Sequence, residues 1–559
     1  MKRMIVFFAT VAFVVGIDCG INRRSSAAAD GASTGSREVT FNRDIAPIFF
    51  KDCAGCHRPG ELAPMSLLTF KDARPWARSI RDKVATRQMP PWGADPHYGQ
   101  FTNDRRLSQH EVDTIVAWVD QGAKEGNARD LPATPSFDDR WVIGKPDQIV
   151  TMDKDYELGA EGSDEYVNIT VPTNFTEDKW VQAMEVHPGN KRIVHHAVVF
   201  VQPPALAANA KRIAMLYRRN SIFYSDGTLR RVKLDAPAYD DGCTAPFGGY
   251  APGSGVEGLG MLLGFYAPGK DVDSWPAGTA KLIPAGSNII LQMHYSRTTG
   301  KPEKDQTSVG FVFAKQPPDK QVMSIGAVNF YFKIPPGDPE HQVTGCYTVG
   351  RDVDMLAYFP HMHLRGKSMT YEALFPDGHR QTLIDVPEYN FNWQTLYKLK
   401  EPVFLPKGTK VLVTAHFDNS EKNKYNPDPR KAVRFGDPTY DEMMVGYFDF
   451  ISAGPPQSAL KLDDRLLDSY TGIYQVAPGL DFTVSRNGKK LKIVALGGLT
   501  FDLRPESESQ FTLDGFDASM TFVRDGDGTA TEVVFQFNTV TMHARRAPGG
   551  PRAGAGNVR

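Results

Sequence analysis

The segment Cys53-Ala54-Gly55-Cys56-His57 has a spacing that suits redox chemistry. In the pattern C-x-x-C-H the two thiols attach to a haem and the adjacent histidine binds its iron. A bare C-x-x-C also suits a redox dithiol or half of a zinc site. The histidine after Cys56 and the lack of a second cysteine pair to complete a zinc site favour haem. The sequence therefore predicts one covalently attached haem c.

The sixth iron ligand is expected downstream of this motif, ahead of the last helix of the same segment. Met89 fits, because the prolines of Gln88-Met89-Pro90-Pro91-Trp92 stiffen an extended loop around the haem edge. A thioether ligand raises the reduction potential, which suits an electron relay. Met65 is the alternative, although an isolated methionine is usually a packing residue. Residues 38–127 resemble a small class I cytochrome c.

Five of the thirteen histidines lie in three short motifs after residue 140. His195 and His196 are adjacent, His294 ends L-Q-M-H, and His361 and His363 are separated by one residue. Imidazole is the commonest transition-metal ligand. Alternate residues of a strand share a face, so His361 and His363 can reach one metal. His195 and His196 would face opposite sides of a regular strand, so sharing a metal requires a strand end, a bulge or different ring nitrogens.

The elements that must position these motifs change in character along the chain. Residues 38–127 are expected to be helical, with a capping box at Ser108–Glu111, and Gly122 ends the last helix. From about residue 140, short β-rich runs alternate with Pro/Gly-rich turns, which is typical of β-sandwich domains. The predicted fold is mainly β, with two consecutive β-sandwich (jelly-roll) domains, a small all-α domain before them and a small all-β module after them.

The first residues read as an export signal, because Lys2 and Arg3 precede a short apolar run and a small-residue site at 27–29. A periplasmic or secreted protein is expected. The run is short for a membrane span, and Asp18 before Cys19 does not suit a lipoprotein signal, so a membrane tether is possible but not expected. The predicted boundaries are 1–29 for the signal peptide, 38–127 for the cytochrome c domain, 140–300 and 301–455 for the sandwiches, and 466–547 for the C-terminal β domain.

The composition gives no reason to expect nucleic acid as a partner, since 64 Lys and Arg balance 65 Asp and Glu. Among the five cysteines, Cys19 would leave with the signal, and Cys53 and Cys56 belong to the haem motif. Cys243 and Cys346 remain. In an oxidising compartment these two could form a disulfide, and two buried free thiols are the alternative.

Residues 140–455 resemble the type II copper monooxygenases, the group that contains the peptidylglycine and dopamine hydroxylases. Four motifs occur in the family's order: the adjacent histidines, L-Q-x-H-Y, H-x-H followed by L and G, and D-E-M at 441–443. The resemblance implies two copper ions. One would be held by His195, His196 and His294, and the other by His361, His363 and Met443. A thioether favours Cu(I), the state that binds O2. Met444 is adjacent to Met443, and in a strand only one of them can serve.

The resemblance also bears on the reaction. The family places a tyrosine near the oxygen-binding copper, so Tyr447 is a candidate catalytic residue, with an ordinary core aromatic as the alternative. Phe359 and Val445 stand where the peptide-amidating members have an arginine that holds the substrate carboxylate and an asparagine. A glycine-extended peptide is therefore not the expected substrate, and an apolar group fits better. Residues 466–547 resemble a β module appended to exported serine hydrolases of the β-lactamase type, without a catalytic set, and His543 there is expected to be an ordinary strand residue.

These patterns together predict an exported haem- and copper-containing monooxygenase that hydroxylates a C–H bond with O2. Its substrate would be a small molecule or a peptide, and an external donor would supply electrons through the haem to the two coppers. One alternative is a copper-binding electron-transfer or storage protein without hydroxylase activity. In another, the β domains are structural and only the cytochrome is active.

Overall fold

The computed structural model describes residues 37–547, except residues 62, 138–140, 205–220, 224–228, 232–259, 271, 331, 455–459, 478–479, 496–498, 514–517 and 538–539. The chain divides into two compact units, Met1–Glu38 and Val39–Arg559, and the elements below all belong to the second. The expected signal peptide and Cys243 lie outside the described residues. Cys346 is disulfide-bonded, and its pairing with Cys243 stays a prediction. Across the described ranges, no helix is both long and apolar enough to cross a bilayer.

The N-terminal domain is helical, as its sequence predicts. Its helices are α1 (Ala46–Asp52), α2 (Phe70–Ala73), α3 (Ala77–Ala85) and α4 (Gln109–Asp120), with a π-helical turn at Phe41–Ile45 and 3₁₀ turns at Arg74–Trp76 and Ala128–Asp130. The predicted capping box is present at α4, because the Ser108 side chain accepts from the Glu111 N–H and the Glu111 carboxylate accepts from the Ser108 N–H. Trp118, on the buried face of α4, packs against Phe41 and Phe49.

Two sheets form the first β-sandwich. Its strands are β1 (Gln148–Thr151), β2 (Tyr156–Leu158), β3 (Glu165–Pro172), β4 (Lys179–His187), β5 (Val194–Gln202), β6 (Ser221–Phe223), β7 (Leu229–Arg231), β8 (Met261–Tyr266), β9 (Asp273–Ser274), β10 (Thr279–Ile283), β11 (Asn288–Tyr295), β12 (Glu303–Asp305), β13 (Ser308–Phe313) and β14 (Lys320–Gln321). One sheet has the order β1-β13-β4-β10-β14, with β9 on β4, and the other β3-β11-β5-β8, while β12-β2 and β6-β7 form separate pairs. Because β13 and β14 pair within this sandwich, it extends past residue 300 to Gln321.

The second β-sandwich follows directly. Its strands are β15 (Met323–Val328), β16 (Lys333–Ile334), β17 (His341–Thr348), β18 (Val353–His361), β19 (Gly366–Leu374), β20 (Arg380–Val386), β21 (Tyr397–Leu405), β22 (Lys410–Phe417), β23 (Val433–Arg434) and β24 (Val445–Ser452). Its sheets have the orders β15-β24-β18-β21 and β17-β22-β19-β20, with β16 paired to β23. Alternating buried residues, as in β22, form the core between the sheets.

A buried ion pair joins the two sandwiches. Lys281 on β10 lies 3.4 Å, Nζ to Oδ1, from Asp449 on β24. The indole N–H of Trp275 donates to the other oxygen of Asp449 at 3.1 Å, and Ser324 also hydrogen-bonds to this carboxylate. A buried charge that loses its partner is strongly destabilising, so the two charged groups must stay close together. This cluster therefore fixes how the two sandwiches meet.

The helical domain is docked onto the second sandwich through main-chain pairing. The Thr102 N–H donates to the Lys398 carbonyl, and the Lys400 N–H donates to the Gln100 carbonyl, both at 2.8 Å. Residues 100–102 thereby extend the edge of β21. Trp92 packs edge-on against Tyr397 with ring centroids 4.9 Å apart. The loop that carries Met89 thus leads straight into contact with the β domains.

The C-terminal module is all β, as predicted, and it closes into a barrel. The helix α5 (Asp464–Tyr470) precedes its strands, β25 (Gly472–Ala477), β26 (Leu480–Asn487), β27 (Lys490–Ala495), β28 (Leu499–Pro505), β29 (Gln510–Leu513), β30 (Ala518–Arg524), β31 (Ala530–Phe537) and β32 (Val540–Arg546). Its interior is filled by apolar side chains such as Tyr474 and Phe522. His543 is an exposed strand residue paired with Glu532, which agrees with the ordinary role expected for it.

Candidate metal centres

Three histidines of the first sandwich converge on one point. His195 and His196 begin β5, and His294 lies near the end of β11. His294 pairs with His196, whereas the next residue, Tyr295, pairs with Val194, so His195 is the extra residue of a β-bulge. The bulge lets two adjacent histidines turn to the same side of the strand. One nitrogen from each of the three rings lies within 4.8 Å of the others.

The hydrogen bonds of these histidines show which ring nitrogens are available to a metal. The Nδ1 atoms of His195 and His294 lie 3.2 Å and 3.3 Å from the Nδ1 of His196. On its other side, the His294 Nε2 lies 2.9 Å from an Asp164 oxygen and 2.9 Å from the Tyr166 hydroxyl. A proton on Nε2 that is held by Asp164 leaves the Nδ1 lone pair directed at the cluster. The arrangement presents three imidazole nitrogens to one ion.

The second pair of histidines lies where the second sandwich faces this cluster. His361 is the last residue of β18, and His363 follows just beyond the strand, so the strand rule that predicted a shared face applies only to His361. Their rings nevertheless adjoin, with centroids 5.3 Å apart and planes at 89°. The His361 Nδ1–H donates to Gln394 Oε1 at 2.9 Å, and the His363 Nδ1 lies 3.3 Å from the Asp441 carbonyl. Both Nε2 atoms are left as the metal-facing nitrogens.

A buried carboxylate holds the D-E-M segment against these histidines. Glu442 is fully buried. It accepts from the main-chain N–H groups of His363, at 2.8 Å, and Arg365, at 2.6 Å. Met444 belongs to the apolar core, where a Cβ built at Gly345 would lie 3.0 Å from its Sδ. Met443, 8% exposed, lies outside this core cluster, and its position beside the histidines stays a prediction.

Burial keeps the imidazoles of both sets uncharged. It lowers the pKa of His195 to about 4, with a further contribution from the charge of His294, and it lowers the pKa of His361 to about 4. The pKa values of His196 and His363 lie well below the usual range, again mainly because of burial. Neutral imidazole is the form that binds metals. At neutral pH both sets therefore have free lone pairs.

One aromatic ring lies between the two histidine sets. Phe391 stacks on His195, with centroids 5.3 Å apart and planes at 11°. The centroid of the same ring is 6.0 Å from that of His363 and 6.3 Å from those of His196 and His294. The two sets are therefore neighbours across a single phenyl ring.

An aromatic patch adjoins the second set. Phe359 stacks on Phe265 of the first sandwich with centroids 3.9 Å apart. Its centroid lies 5.8 Å from that of Tyr447 and 6.0 Å from that of His361. The centroid of Tyr447 is 6.5 Å from that of His361. The position at which peptide-amidating members of the family carry an arginine is thus part of a buried apolar cluster between the two sandwiches.

The cysteine motif borders a cleft that is lined by the helical domain and by both sandwiches. Cys53, Cys56, His57 and Met89 form one wall, and residues 268–270 and 393–398 of the sandwiches form the other. The cleft has a volume of about 830 Å³ including its open side. Gly269 has a left-handed backbone, with φ +73°, and a Cβ built there would lie in van der Waals contact with the Cys56 Sγ, at 3.4 Å.

The residues of this cleft fit a covalent haem. Neither Cys53 nor Cys56 forms a disulfide, and burial raises the pKa of Cys53 to about 12. A redox dithiol needs a lowered pKa, so this thiol does not suit that role. The His57 Nδ1–H donates to the Met65 carbonyl at 3.2 Å, which leaves Nε2 for iron. Met65 thus acts through its main chain, whereas Met89 lines the cleft.

Residues 319–462 match the family model of the copper type II ascorbate-dependent monooxygenases, C-terminal domain. This range includes the second sandwich with His361, His363 and Met443. The chain therefore contains a copper type II monooxygenase domain and is an oxidoreductase that incorporates oxygen from O2 into a substrate. The match favours the enzyme over the alternatives without hydroxylase activity.

No curated protein sequence matches the chain. Among solved structures, "Crystal structure of infectious bursal disease virus VP2 subviral particle" is similar at 10% identity, with a TM-score of 0.16, over 55% of this chain and 72% of that chain. "Structure of infectious bursal disease virus Gx strain" is similar at 7% identity, with a TM-score of 0.15, over 55% of this chain and 73% of that chain. Scores this low carry no argument about fold or function.

Sequence reasoning missed the residues that support the ligands. Asp164, Tyr166, Phe391 and Gln394 lie in loops or strands without a recognisable motif. Their partners are remote in the chain, as with Gln394 and His361, 33 positions apart. Glu442 was visible within the D-E-M motif, and its buried hydrogen bonds now explain its place there.

Proposed function

We propose that the protein is an exported monooxygenase that hydroxylates a C–H bond of an apolar organic substrate. The overall change is R–H + O2 + 2 e⁻ + 2 H⁺ → R–OH + H2O, with an external one-electron donor as the source of electrons. The observation that carries the proposal is the convergence of His195, His196 and His294 beside the domain that matches the copper monooxygenases.

The residues present fit two coppers and one haem. His195, His196 and His294 would hold one copper through their Nδ1 atoms, and His361, His363 and Met443 would hold the other. Cys53, Cys56, His57 and Met89 would hold the haem. When bound, the coppers supply O2 activation and the haem supplies one-electron transfer.

The chain's own groups prepare the site for this chemistry. Asp164 accepts a hydrogen bond from the His294 ring N–H, and Gln394 accepts one from the His361 ring N–H, which fixes the orientation of both imidazoles. Phe359 and Tyr447 belong to a buried apolar cluster that adjoins His361, and apolar surroundings of this kind support an apolar group at the reacting carbon. Tyr447 stays the candidate catalytic residue, with its ring next to the O2-binding set.

The first experiment counts metals. Elemental analysis of the purified full chain should find one iron and two coppers. Oxygen consumption with a panel of apolar substrates should require copper and a reductant. Met443→Ala should lose one copper and all product formation, because two imidazoles alone bind copper weakly.

Met444→Leu is the matched control. It changes the adjacent methionine, which is in the core, and a swap of similar volume costs less than about 1.5 kcal/mol. It should keep both coppers and full activity. Loss of copper in Met444→Leu with retention in Met443→Ala would reverse the assignment, and a chain without copper would end the proposal.

A further inference from the structure

One short segment contacts every candidate metal site. Residues 389–396, between β20 and β21, are called the connecting segment here. The Tyr389 hydroxyl accepts from the Met362 N–H at 3.1 Å and donates to the Met362 carbonyl at 2.7 Å, between the two histidines of the H-x-H motif. Phe391 stacks on His195. Trp393 and Gln394 line the cleft of the cysteine motif.

The side-chain amide of Gln394 hydrogen-bonds to the candidate copper ligand His361 through its oxygen, whereas its nitrogen has no hydrogen-bond partner among the described residues. Its Oε1 accepts from the His361 Nδ1–H at 2.9 Å. The side chain is only 5% exposed. Its Nε2 has no hydrogen-bond partner among the described residues. A buried amide donor normally has a partner, so the unpaired Nε2 points to an acceptor that is brought by whatever occupies the cleft.

The chemistry of the cleft indicates what that acceptor is. Arg105, Lys270 and Lys398 also line it. Lys270 pairs with Asp273 at 2.8 Å, and the Lys398 ammonium donates to the Val272 carbonyl at 2.8 Å, so this part of the cleft is polar. A haem carries two carboxylates, which are hydrogen-bond acceptors. A haem attached to Cys53 and Cys56 would therefore supply the acceptor for the Gln394 Nε2–H.

The alternative connection, to the other histidine set, is weaker. The Asn392 side chain hydrogen-bonds to His195, but Asn392 is exposed and is not among the residues that line the cleft. Gln394 is thus the residue that both lines the cleft and bonds to a ligand histidine.

We propose that electrons enter the copper pair at the His361/His363 site, through Gln394, directly from the haem in the cleft. The inference rests on the proposed function. One electron moves in each transfer, taking the haem iron from Fe(II) to Fe(III) and the copper from Cu(II) to Cu(I), and no bond forms or breaks.

The test follows intramolecular electron transfer without substrate or O2. The full chain, with haem attached and copper at saturation, is mixed anaerobically with less than one equivalent of dithionite. Stopped-flow absorbance follows haem reoxidation, and freeze-quench electron paramagnetic resonance follows the loss of Cu(II). Gln394→Leu should slow haem reoxidation by roughly 10- to 100-fold, the usual cost of removing the outer partner of a ligand histidine.

Two variants distinguish a role of Gln394 in electron transfer from the haem from a role only in positioning His361. Gln394→Glu keeps an acceptor for the His361 Nδ1–H but loses the donor that faces the cleft. It should keep the Cu(II) spectrum, slow haem reoxidation and lower the haem midpoint potential. Asp155→Asn alters an exposed carboxylate outside the cleft and away from the ligand histidines, and it should leave the reoxidation rate unchanged.

The outcomes are distinguishable. Wild-type rates of haem reoxidation in both Gln394 variants would overturn the inference. A wild-type rate and a wild-type haem midpoint potential in Gln394→Glu alone would also overturn it, because Gln394 would then only position the copper ligand His361. If the unaltered protein, with all metals present, shows no haem reoxidation coupled to loss of Cu(II), the relay within the proposed function fails instead.

Discussion

The Phe391 ring lies parallel to the His195 ring, with centroids 5.3 Å apart, although the two residues belong to different sandwiches. This contact places a phenyl ring from the second sandwich over a ligand candidate of the first. The same ring also adjoins His363. The Phe391 side chain therefore lies between the two histidine sets.

Phe391→Ala should remove this spacer. We expect a loss of about 3 kcal/mol in the free energy of unfolding, since Phe391 is buried and a cavity would remain. Copper content should stay at two per chain, while product formed per O2 consumed should fall because water reaches the space between the sets. Calorimetry, metal analysis and the ratio of product to O2 check this. Phe391→Leu, which keeps most of the volume, should stay close to wild type, and equal coupling in both variants would contradict the idea.

Asp164→Asn should weaken one copper site without unfolding the protein. The carboxylate accepts from His294 Nε2 at 2.9 Å, and loss of such a partner costs roughly 10- to 100-fold in metal affinity. A chelator-competition titration measures the change. Asp155→Asn, which alters an exposed carboxylate 3.8 Å from Lys304, should leave copper affinity unchanged. Equal affinities in the two variants would remove Asp164 from the site.

Met89→Ala should abolish the Met-to-iron charge-transfer band of the oxidised haem and lower its midpoint potential, because a thioether ligand stabilises Fe(II). Spectra and a redox titration check both effects. Met65→Leu is the matched control, since Met65 supplies only its main-chain carbonyl to His57. Should the band vanish in Met65→Leu and persist in Met89→Ala, the two methionines would exchange roles.

Local patterns were sufficient to predict much of the fold. The capping box at Ser108 and the period-2 runs such as β22 depend on neighbours in the chain, so helices and strands could be assigned before any contact was known. The boundary near residue 300 could not, because β13 pairs with β4, more than a hundred residues earlier, and β14 pairs with β10 of the same sandwich. Strand pairing over such distances leaves no local signal.

The candidate site divides in the same way. The type and spacing of the five histidines identify them in the sequence. The sequence also shows a difficulty, because the adjacent residues His195 and His196 would face opposite sides of a regular strand. Its solution, a bulge opposite His294 and Tyr295, depends on the register of two distant strands. Gln394 and Phe391 contact the histidines only because a loop of the second sandwich returns to them, so their roles required the structure.

Asp449→Ala should destabilise the junction of the sandwiches. It would leave the Lys281 ammonium buried beside Trp275 without its counter-charge, and breaking a buried pair in this way costs about 3–5 kcal/mol. Denaturant unfolding measures the loss. Asp428→Ala removes the partner of the exposed Arg430 and should change the stability little. A similar decrease in the free energy of unfolding in both variants would show that the buried pair contributes no more to stability than the exposed pair.

The left-handed backbone at Gly269 has a consequence for exchanging parts of this molecule. A Cβ at this position would lie in van der Waals contact with the Cys56 thiol and Trp393, so a residue that belongs to neither the helical domain nor the matched monooxygenase domain borders the cysteine motif. A different helical carrier fused at the same point would meet a surface shaped for this one. Replacing the helical domain therefore requires attention to residue 269 and its surroundings, and not only to the linker.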